Sequence, residues 1–382
     1  MLERPIDTID EALLRTLIEN QVAERRDLEF KRDLPTRNDE GVKEFLADVT
    51  SFANAQGGDL IYGIGEDNGT AVGLPGVASS DHDAEILRLE SSLQTGVAPR
   101  LVGVRTHWVH LATGNGAIVM RIPASLNAPH RIVYKNSGRF YGRNSRGKYE
   151  MDVHELRHSF TQSEQLPKRF RQLHADAIAA AKGVNMPFRI HEGPTAVVSI
   201  IPLGLFRQER HIAISRDDAV APVFSDGFSA IDTIEGVLVH GPAERNLGTI
   251  GSFALTHRTG RTDLSWSIGS GGQLKYVKEK KVVWPRVFEE GLSDATQSTK
   301  TRLRQFGIEG PWVVLVSVFG VRGYQLILSA DNWSRPAFRD DALVGHRIIE
   351  RIDDAELVPI AETLWLLFGQ RRPEGLTLAQ AA

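Results

Sequence analysis

The sequence predicts a mixed α/β protein of two domains, an N-terminal α/β unit over residues 1–162 and a second α/β unit over residues 187–370. Three observations predict it. From Glu11 to Gly65 apolar residues recur first at helical spacing, then every second position, then at helical spacing again, the mark of strands interleaved with helices. In the C-terminal half, Thr195 to Ile201 and Trp312 to Phe319 read as buried strands, and amphipathic stretches from Val287 to Phe306 and Ala355 to Phe368 supply helices to cover them. Between the halves, a polar helical stretch from Ser163 to Lys182 runs into Gly183 and Pro187, so residues 163–186 read as a helical linker.

The elements follow in order. Thr8-Ile-Asp-Glu11 has the form of a capping box, and Leu13, Leu14, Leu17 and Ile18 then predict a first helix to about Gln21. From Asp27 to Lys31 the pattern alternates, which sends Leu28 and Phe30 to a core and places Asp27, Glu29 and Lys31 on the other face of a strand. Val42, Phe45, Leu46, Val49, Phe52 and Ala53 form the apolar stripe of a second helix, ended by Gly57-Gly58. Leu60 to Gly65 reads as a buried strand presenting Glu66 and Asp67 at its C-terminal end. A third helix is predicted over Asp81 to Gln94. Short strands follow at Arg100 to Trp108, Ala117 to Pro123, Arg131 to Tyr134 and Arg139 to Arg143, with a closing helix from Met151 to Phe160. Residues 371–382 read as a loose tail.

Composition removes several classes of function. A chain of 382 residues that is 41% hydrophobic and 24% charged is an ordinary globular protein, and a net charge of −3 excludes a uniformly basic nucleic-acid binder. Without cysteine there is no disulfide framework, zinc ribbon or thiol nucleophile, which fits a cytoplasmic protein. The start has no basic, apolar leader, and no apolar run reaches the roughly 18 residues of a spanning helix, so no membrane partner is expected. The charge is unevenly spread, however. Between Ser91 and Tyr149 there is no Asp or Glu, yet Arg100, Arg105, Arg121, Arg131, Lys135, Arg139, Arg143, Arg146 and Lys148 all fall there. These cations, with Trp108, Tyr134, Phe140, Tyr141 and Tyr149 among them, form a candidate face for RNA or DNA, against the plainer possibility of solvated arginines over a β-rich core.

The stretch from Glu24 to Gly73 carries most of the remaining information. It gathers Glu24, Glu29-Phe30-Lys31, Asp48, Phe52-Ala-Asn54-Ala-Gln-Gly57-Gly58, Gly63, Asp67 and Gly73, and acids on strand edges beside a glycine-rich turn suggest a metal or phosphate site. With Pro129-His130, Gly138-Arg139-Phe140-Tyr141, Arg143 and Met151, these residues make the first 160 or so positions resemble the Schlafen AlbA_2 domain. The C-terminal half has no comparable signature. The resemblance implies nucleic-acid binding. In ribonuclease members of that family it further implies metal-dependent cleavage by three carboxylates, which match Glu24, Glu29 and Asp67, with Glu66 adjacent to the third. Many bacterial members are described only as DNA-binding domains.

Such a trio is chemically coherent. Clustered carboxylates repel, and Mg²⁺ or Mn²⁺ relieves that repulsion while polarising phosphate and activating water. Lys31, on the strand face of Glu29, is placed to neutralise charge building on a scissile phosphate. Against this stands the simpler arrangement in which Glu29 and Lys31 are a strand pair and Glu24 a helix-end charge. His154-Glu155-Leu-Arg-His158 matches the zinc-peptidase string but falls on the closing helix without a third ligand, and Glu29-Phe30-Lys31 also resembles the short end of a restriction-type nuclease motif. No phosphate-loop string exists, and Gly63-Ile-Gly65 suits a tightly packed strand better than a dinucleotide turn. The leading expectation is a divalent-metal-dependent nuclease acting on RNA. The alternatives are a non-catalytic DNA- or RNA-binding regulator, and a defence-system sensor or scaffold working through its C-terminal domain and a partner protein. Because the animal Schlafen core pairs two similar lobes and this chain shows one, a homodimer is a further expectation.

Overall fold

The structure is a computed structural model that describes the chain apart from residues 1, 3, 207–210, 226, 245–247, 270–280, 309, 330, 350–351 and 379–382. The chain divides into two compact units, the first built on residues 1–167 and the second on 168–205, 210–304 and 311–382. In the first, α1 (Glu11–Glu19), β1 (Leu28–Lys31), α2 (Asp39–Asn54), β2 (Gly57–Tyr62), β3 (Gly65–Asp67), β4 (Thr70–Gly73) and α3 (His82–Gly96) are followed by β5 (Val97–Ala98), β6 (Arg105–His110), β7 (Gly116–Pro123), β8 (Arg131–Ile132), β9 (Tyr141–Asn144) and β10 (Gly147–Glu150). Helix α4 (Val153–Ala181) runs from this unit into the next.

The central sheet of the first unit has strand order β1-β2-β7-β6, with β1 parallel to β2 and the remaining pairs antiparallel. Its two faces are covered differently. Phe45, Leu46, Val49 and Phe52 of α2 pack with Leu60, Tyr62, Ile118, Met120 and Ile122 on one side, while Leu14 and Leu17 of α1 pack with Leu28, Phe30, Ile61 and Val119 on the other. Burial on both faces explains why Leu60 to Tyr62 reads as a continuous apolar run. Gly57 (φ 74°) opens β2 so close to β7 that a Cβ there would stand 2.6 Å from the Ile122 carbonyl oxygen.

Several sequence expectations shift. Asp10, not Thr8, caps α1: its side chain accepts from the Leu13 amide at 2.9 Å, while the Thr8 hydroxyl donates to the Pro5 carbonyl. The strand expected from Arg100 begins only at Arg105. Glu66 and Asp67 do not extend β2; they belong to a separate β3–β4 hairpin whose turn is Asn68 (φ 50°) and Gly69 (φ 76°). Two successive left-handed residues make the Asn-Gly turn that matches the twist of paired strands. The closing helix and the linker helix are one helix of 29 residues with Pro167 inside it.

The second unit contains β11 (Arg189–Ile190), β12 (Thr195–Pro202), β13 (Ser229–Asp232), β14 (Gly236–His240), β15 (Ala243–Glu244), β16 (Thr249–Ile250), β17 (Ser252–His257), β18 (Thr262–Ser267) and β19 (Val282–Val283). These are followed by α5 (Pro285–Arg304), β20 (Trp312–Phe319), β21 (Gln325–Ser329), β22 (Asn332–Trp333), β23 (Asp341–Ile349) and α6 (Asp354–Leu367). Among the described residues its main sheet is antiparallel, in the order β13-β14-β17-β18-β12-β20-β23. Ala177 and Ala181 of α4 pack against Val197, Leu238, Phe253 and Leu255, while Gly291 of α5 sits against the Trp266 ring. The expected loose tail is anchored as far as residue 378: Arg372 forks onto the fully buried Glu289 at 2.7–3.1 Å, and Leu378 is buried.

Candidate functional site

Strand β1 lies at the edge of its sheet and turns Glu29 and Lys31 to the same side, where the Lys31 ammonium lies 2.6 Å from Glu29 Oε1. The other carboxylate oxygen is taken by the Arg143 guanidinium from β9. Arg143 is itself enclosed, with its Nε donating to the Arg26 carbonyl at 3.2 Å and its Cζ 4.1 Å above the centre of the Phe52 ring. Both sides of the pair are buried, Glu29 at 7% exposure and Arg143 at 3%. Burial pushes the Glu29 carboxyl up, but Arg143 and then Lys31 outweigh it and hold it below its ordinary value.

A second acid stands beside this pair. Asp48 of α2 is 2% exposed and receives the Lys148 ammonium of β10 at 2.5 Å, while the same ammonium reaches Glu44. Burial, followed by the negative charge of Glu29, pushes Asp48 up to about 6, and Lys148 and Lys31 offset only part of that. Burial acts to lower the Lys31 ammonium; Asp48 and Glu29 overcome it and raise the group. Glu29, Lys31, Asp48, Arg143 and Lys148 thus form one charge cluster between β1, α2 and the β9–β10 hairpin, with Glu29, Asp48 and Arg143 buried and the two lysines partly exposed. Asp48 was not expected to act here. Its signal was an acid set in the apolar run Phe45-Leu46-Ala47-Asp48-Val49.

Glu24 is half-buried at the rim. Its backbone amide donates to the Gly69 carbonyl at 2.6 Å, and its Oε1 accepts from the Phe30 amide at 2.8 Å. Burial raises the carboxyl, the Phe30 hydrogen bond opposes this, and the charges of Glu29 and Glu66 add to the rise. Glu66, rather than Asp67, is therefore the hairpin acid whose charge reaches Glu24. Asp67 is exposed, and its carboxylate accepts from the Asn68 amide at 3.2 Å. Among the described residues no three His, Cys, Asp or Glu side chains are grouped to hold a metal ion. In this arrangement Glu24, Glu29 and Asp67 do not fit Mg²⁺ or Mn²⁺, because both Glu29 oxygens already hold cationic side chains.

The nine expected nucleic-acid contacts separate into two sets. Arg121 is 4% exposed, grips Asp59 through two bonds of 2.8 and 3.1 Å, and donates to the carbonyls of Leu2 and Arg4. Arg121 and Arg143 are therefore internal ion pairs, not surface contacts, and Lys148 is largely committed to Asp48 and Glu44. Their sequence neighbourhood looked uniformly basic because their acidic partners lie far off in the chain. Arg100, Arg105, Arg131, Lys135, Arg139 and Arg146 are exposed. Lys135 and Arg139 make long, exposed ion pairs, 3.5 Å to Asp39 and 3.7 Å to Glu150, and Arg139 also hydrogen-bonds the Tyr141 side chain.

Other motif residues serve the frame. The Asn54 amide donates to the carbonyls of His130 and Tyr141, both at 2.9 Å, and its oxygen accepts from the His130 amide at 2.6 Å, tying α2 to the loop before β8 and to β9. Glu155 of the His-Glu-x-x-His string accepts from Tyr149 and from the Asp152 amide, while Asp152 accepts from the Glu155 amide. That reciprocal pair is a helix cap. His158 pairs with Gln162 at 2.9 Å.

Residues 24–152 match the model of the family described as Schlafen, AlbA_2. The first unit therefore carries a Schlafen AlbA_2 domain, with Glu24 at the start of the match and the β9–β10 hairpin near its end. No curated protein matches the chain. Among solved structures, the DIP2311 protein from Corynebacterium diphtheriae is similar at 19% identity over 38% of this chain and 27% of its own length, with a TM-score of 0.27. This chain thus spans about a quarter of that protein. The N-terminal domain of a RecG-related protein from Nitrosomonas europaea is similar at 21% identity over 34% of this chain and 86% of that domain, again with a TM-score of 0.27. No helix among the described residues is long and apolar enough to cross a membrane.

Proposed function

We propose that the Schlafen AlbA_2 domain of this protein binds RNA or DNA through its phosphate backbone, with the Glu29–Arg143 and Asp48–Lys148 pairs serving as the frame that holds the binding surface. One observation carries the reading: from a stretch without any acid, Arg100, Arg131 and Arg146 stand exposed and make no ion pair among the described residues. Exposed cations that lack protein partners have little to lose by meeting phosphate, and they release counterions when they do. Lys135 and Arg139 add to the set, since exposed pairs of that length hold them weakly. They line a groove of about 670 Å³ beside the start of α2, together with Lys43 and Tyr141 and the acids Asp39, Glu40 and Glu44. The mixed charge of that groove favours backbone passing along its cationic rim over filling it.

A second reading, cleavage of the bound strand, has its own support. The Glu24 carboxyl is raised partly by Glu29 and Glu66, so acids press on one another at the edge of the cluster. For that chemistry Glu29 must first leave Arg143. The test is fluorescence anisotropy of labelled tRNA, single-stranded RNA and duplex DNA with the purified chain in chelator, followed by incubation of the same nucleic acids with Mg²⁺ or Mn²⁺. Binding in chelator supports the first reading, and its absence on all three overturns it. Cleavage that appears with metal and disappears in Glu24→Gln and Glu29→Gln adds the second.

A further inference from the structure

The second unit holds a buried chain of hydrogen bonds that links a helix to its main sheet. Three buried side chains meet at the face of the main sheet covered by α4: Ser199 of β12, Ser317 of β20 and His174 of α4. Ser199 donates to Asp263 Oδ1 at 2.7 Å; burial acts to raise the Asp263 carboxyl, but Arg261 at 2.5 Å and His257 at 2.8 Å outweigh it and hold the group well below its ordinary value. A hydroxyl has one proton. Having given it to Asp263, the Ser199 oxygen is left to accept, and the ring nitrogen 2.9 Å away, His174 Nδ1, must be the donor. That fixes the tautomer. The lone pair of the imidazole lies on Nε2, which stands 2.9 Å from the Ser317 hydroxyl and accepts its proton.

Burial keeps the His174 imidazole uncharged, well below its ordinary value at about 4, so the lone pair is present at neutral pH. Ser317 also lines a cavity of about 350 Å³ with Lys182, Phe319 and Arg339. The Lys182 ammonium sits 4.9 Å over the Phe319 ring, and Asp341 is the one acid among the lining residues. The geometry points to Ser317 as an activated nucleophile, with His174 as its base, in a pocket that admits a small ester bearing an anionic group. Ser317 Oγ would bond to the ester carbonyl carbon as its proton passes to His174 Nε2. The alkoxide would leave with that proton, and water would then hydrolyse the acyl-serine to regenerate the hydroxyl. Lys182 and Arg339 would hold the anionic end.

The test uses the full-length protein and a fluorophosphonate probe, in which Ser317 Oγ displaces fluoride from phosphorus, with the adduct located by peptide mass spectrometry. Stoichiometric labelling at Ser317 is expected. Ser317→Ala should abolish it, and His174→Gln should slow it by about tenfold or more, less than a base tuned near neutral pH would contribute because burial makes this imidazole a weaker one. No adduct, or one at another serine, overturns the proposal from the wild-type protein alone, whatever the variants do to folding. Substrate class is tested by hydrolysis of the p-nitrophenyl monoesters of succinate and acetate. The succinyl compound should be preferred, with the preference reduced about tenfold in Lys182→Gln/Arg339→Gln; equal turnover of the two in the wild type contradicts the anionic specificity.

Discussion

Replacing Arg143 by Met tests the claim that the Glu29–Arg143 pair is structural. Glu29 and Arg143 are both almost wholly enclosed, and Arg143 also covers Phe52 and satisfies the Arg26 carbonyl. Breaking a buried pair by removing one partner costs about 3–5 kcal/mol. Lys31 remains 2.6 Å from Glu29 Oε1, so the lower end of that range applies. A loss of about 3 kcal/mol is roughly a hundredfold change in the opening equilibrium of the first unit. Hydrogen exchange read by mass spectrometry resolves β1 and β2 from the second unit, and their amides should exchange about a hundredfold faster. Adding Glu29→Gln should restore much of the protection, since the isolated buried charge is what costs most. Unchanged exchange in Arg143→Met, or additive losses in the double variant, would refute the reasoning.

Asp48 gives a pH prediction. Its folded value is raised from 3.8 to about 6, so the stability it contributes is full below about 4 and is lost as pH rises through 6. Asp48→Asn should therefore flatten the fall in first-unit stability between those values, read by exchange at a series of pH values; an unaltered profile would contradict the assignment. Glu29 works in the opposite sense, its lowered value adding stability that is lost as pH falls below the ordinary carboxylate range, so Glu29→Gln should make the first unit less sensitive to acid. Asn54→Ala leaves the His130 amide and two carbonyls without their partner and should cost about 2 kcal/mol, with faster exchange concentrated around residues 128–141.

The sequence showed most of the architecture because its patterns were local. Alternation placed Leu28 and Phe30 in the core, and the helices now seen at Pro285–Arg304 and Asp354–Leu367 were legible within two residues. The β3–β4 hairpin was missed although Asp67-Asn68-Gly69 announced it, because the apolar run before it drew the strand too far. The site was harder to read, since it is assembled from distant segments. Glu29 and Arg143 lie 114 residues apart, as far beyond local pattern as Lys148 and Asp48 at 100. An arginine amid arginines looked like a surface charge until its carboxylate was found. Arg100, Arg131 and Arg146 have no such partner among the described residues and stay outside.

The salt dependence of binding tests the central claim most directly. The affinity of the full chain for single-stranded RNA in chelator, measured from low to physiological salt, should fall with a slope of about 0.7 per phosphate neutralised. Arg131→Glu/Arg146→Glu should weaken binding and reduce that slope by about 1.4, two contacts' worth. An Arg121→Glu change is no substitute, because it would break the Asp59 pair instead. A wild-type affinity that does not respond to salt, or a double variant with an unchanged slope, would contradict the assignment of these arginines to phosphate.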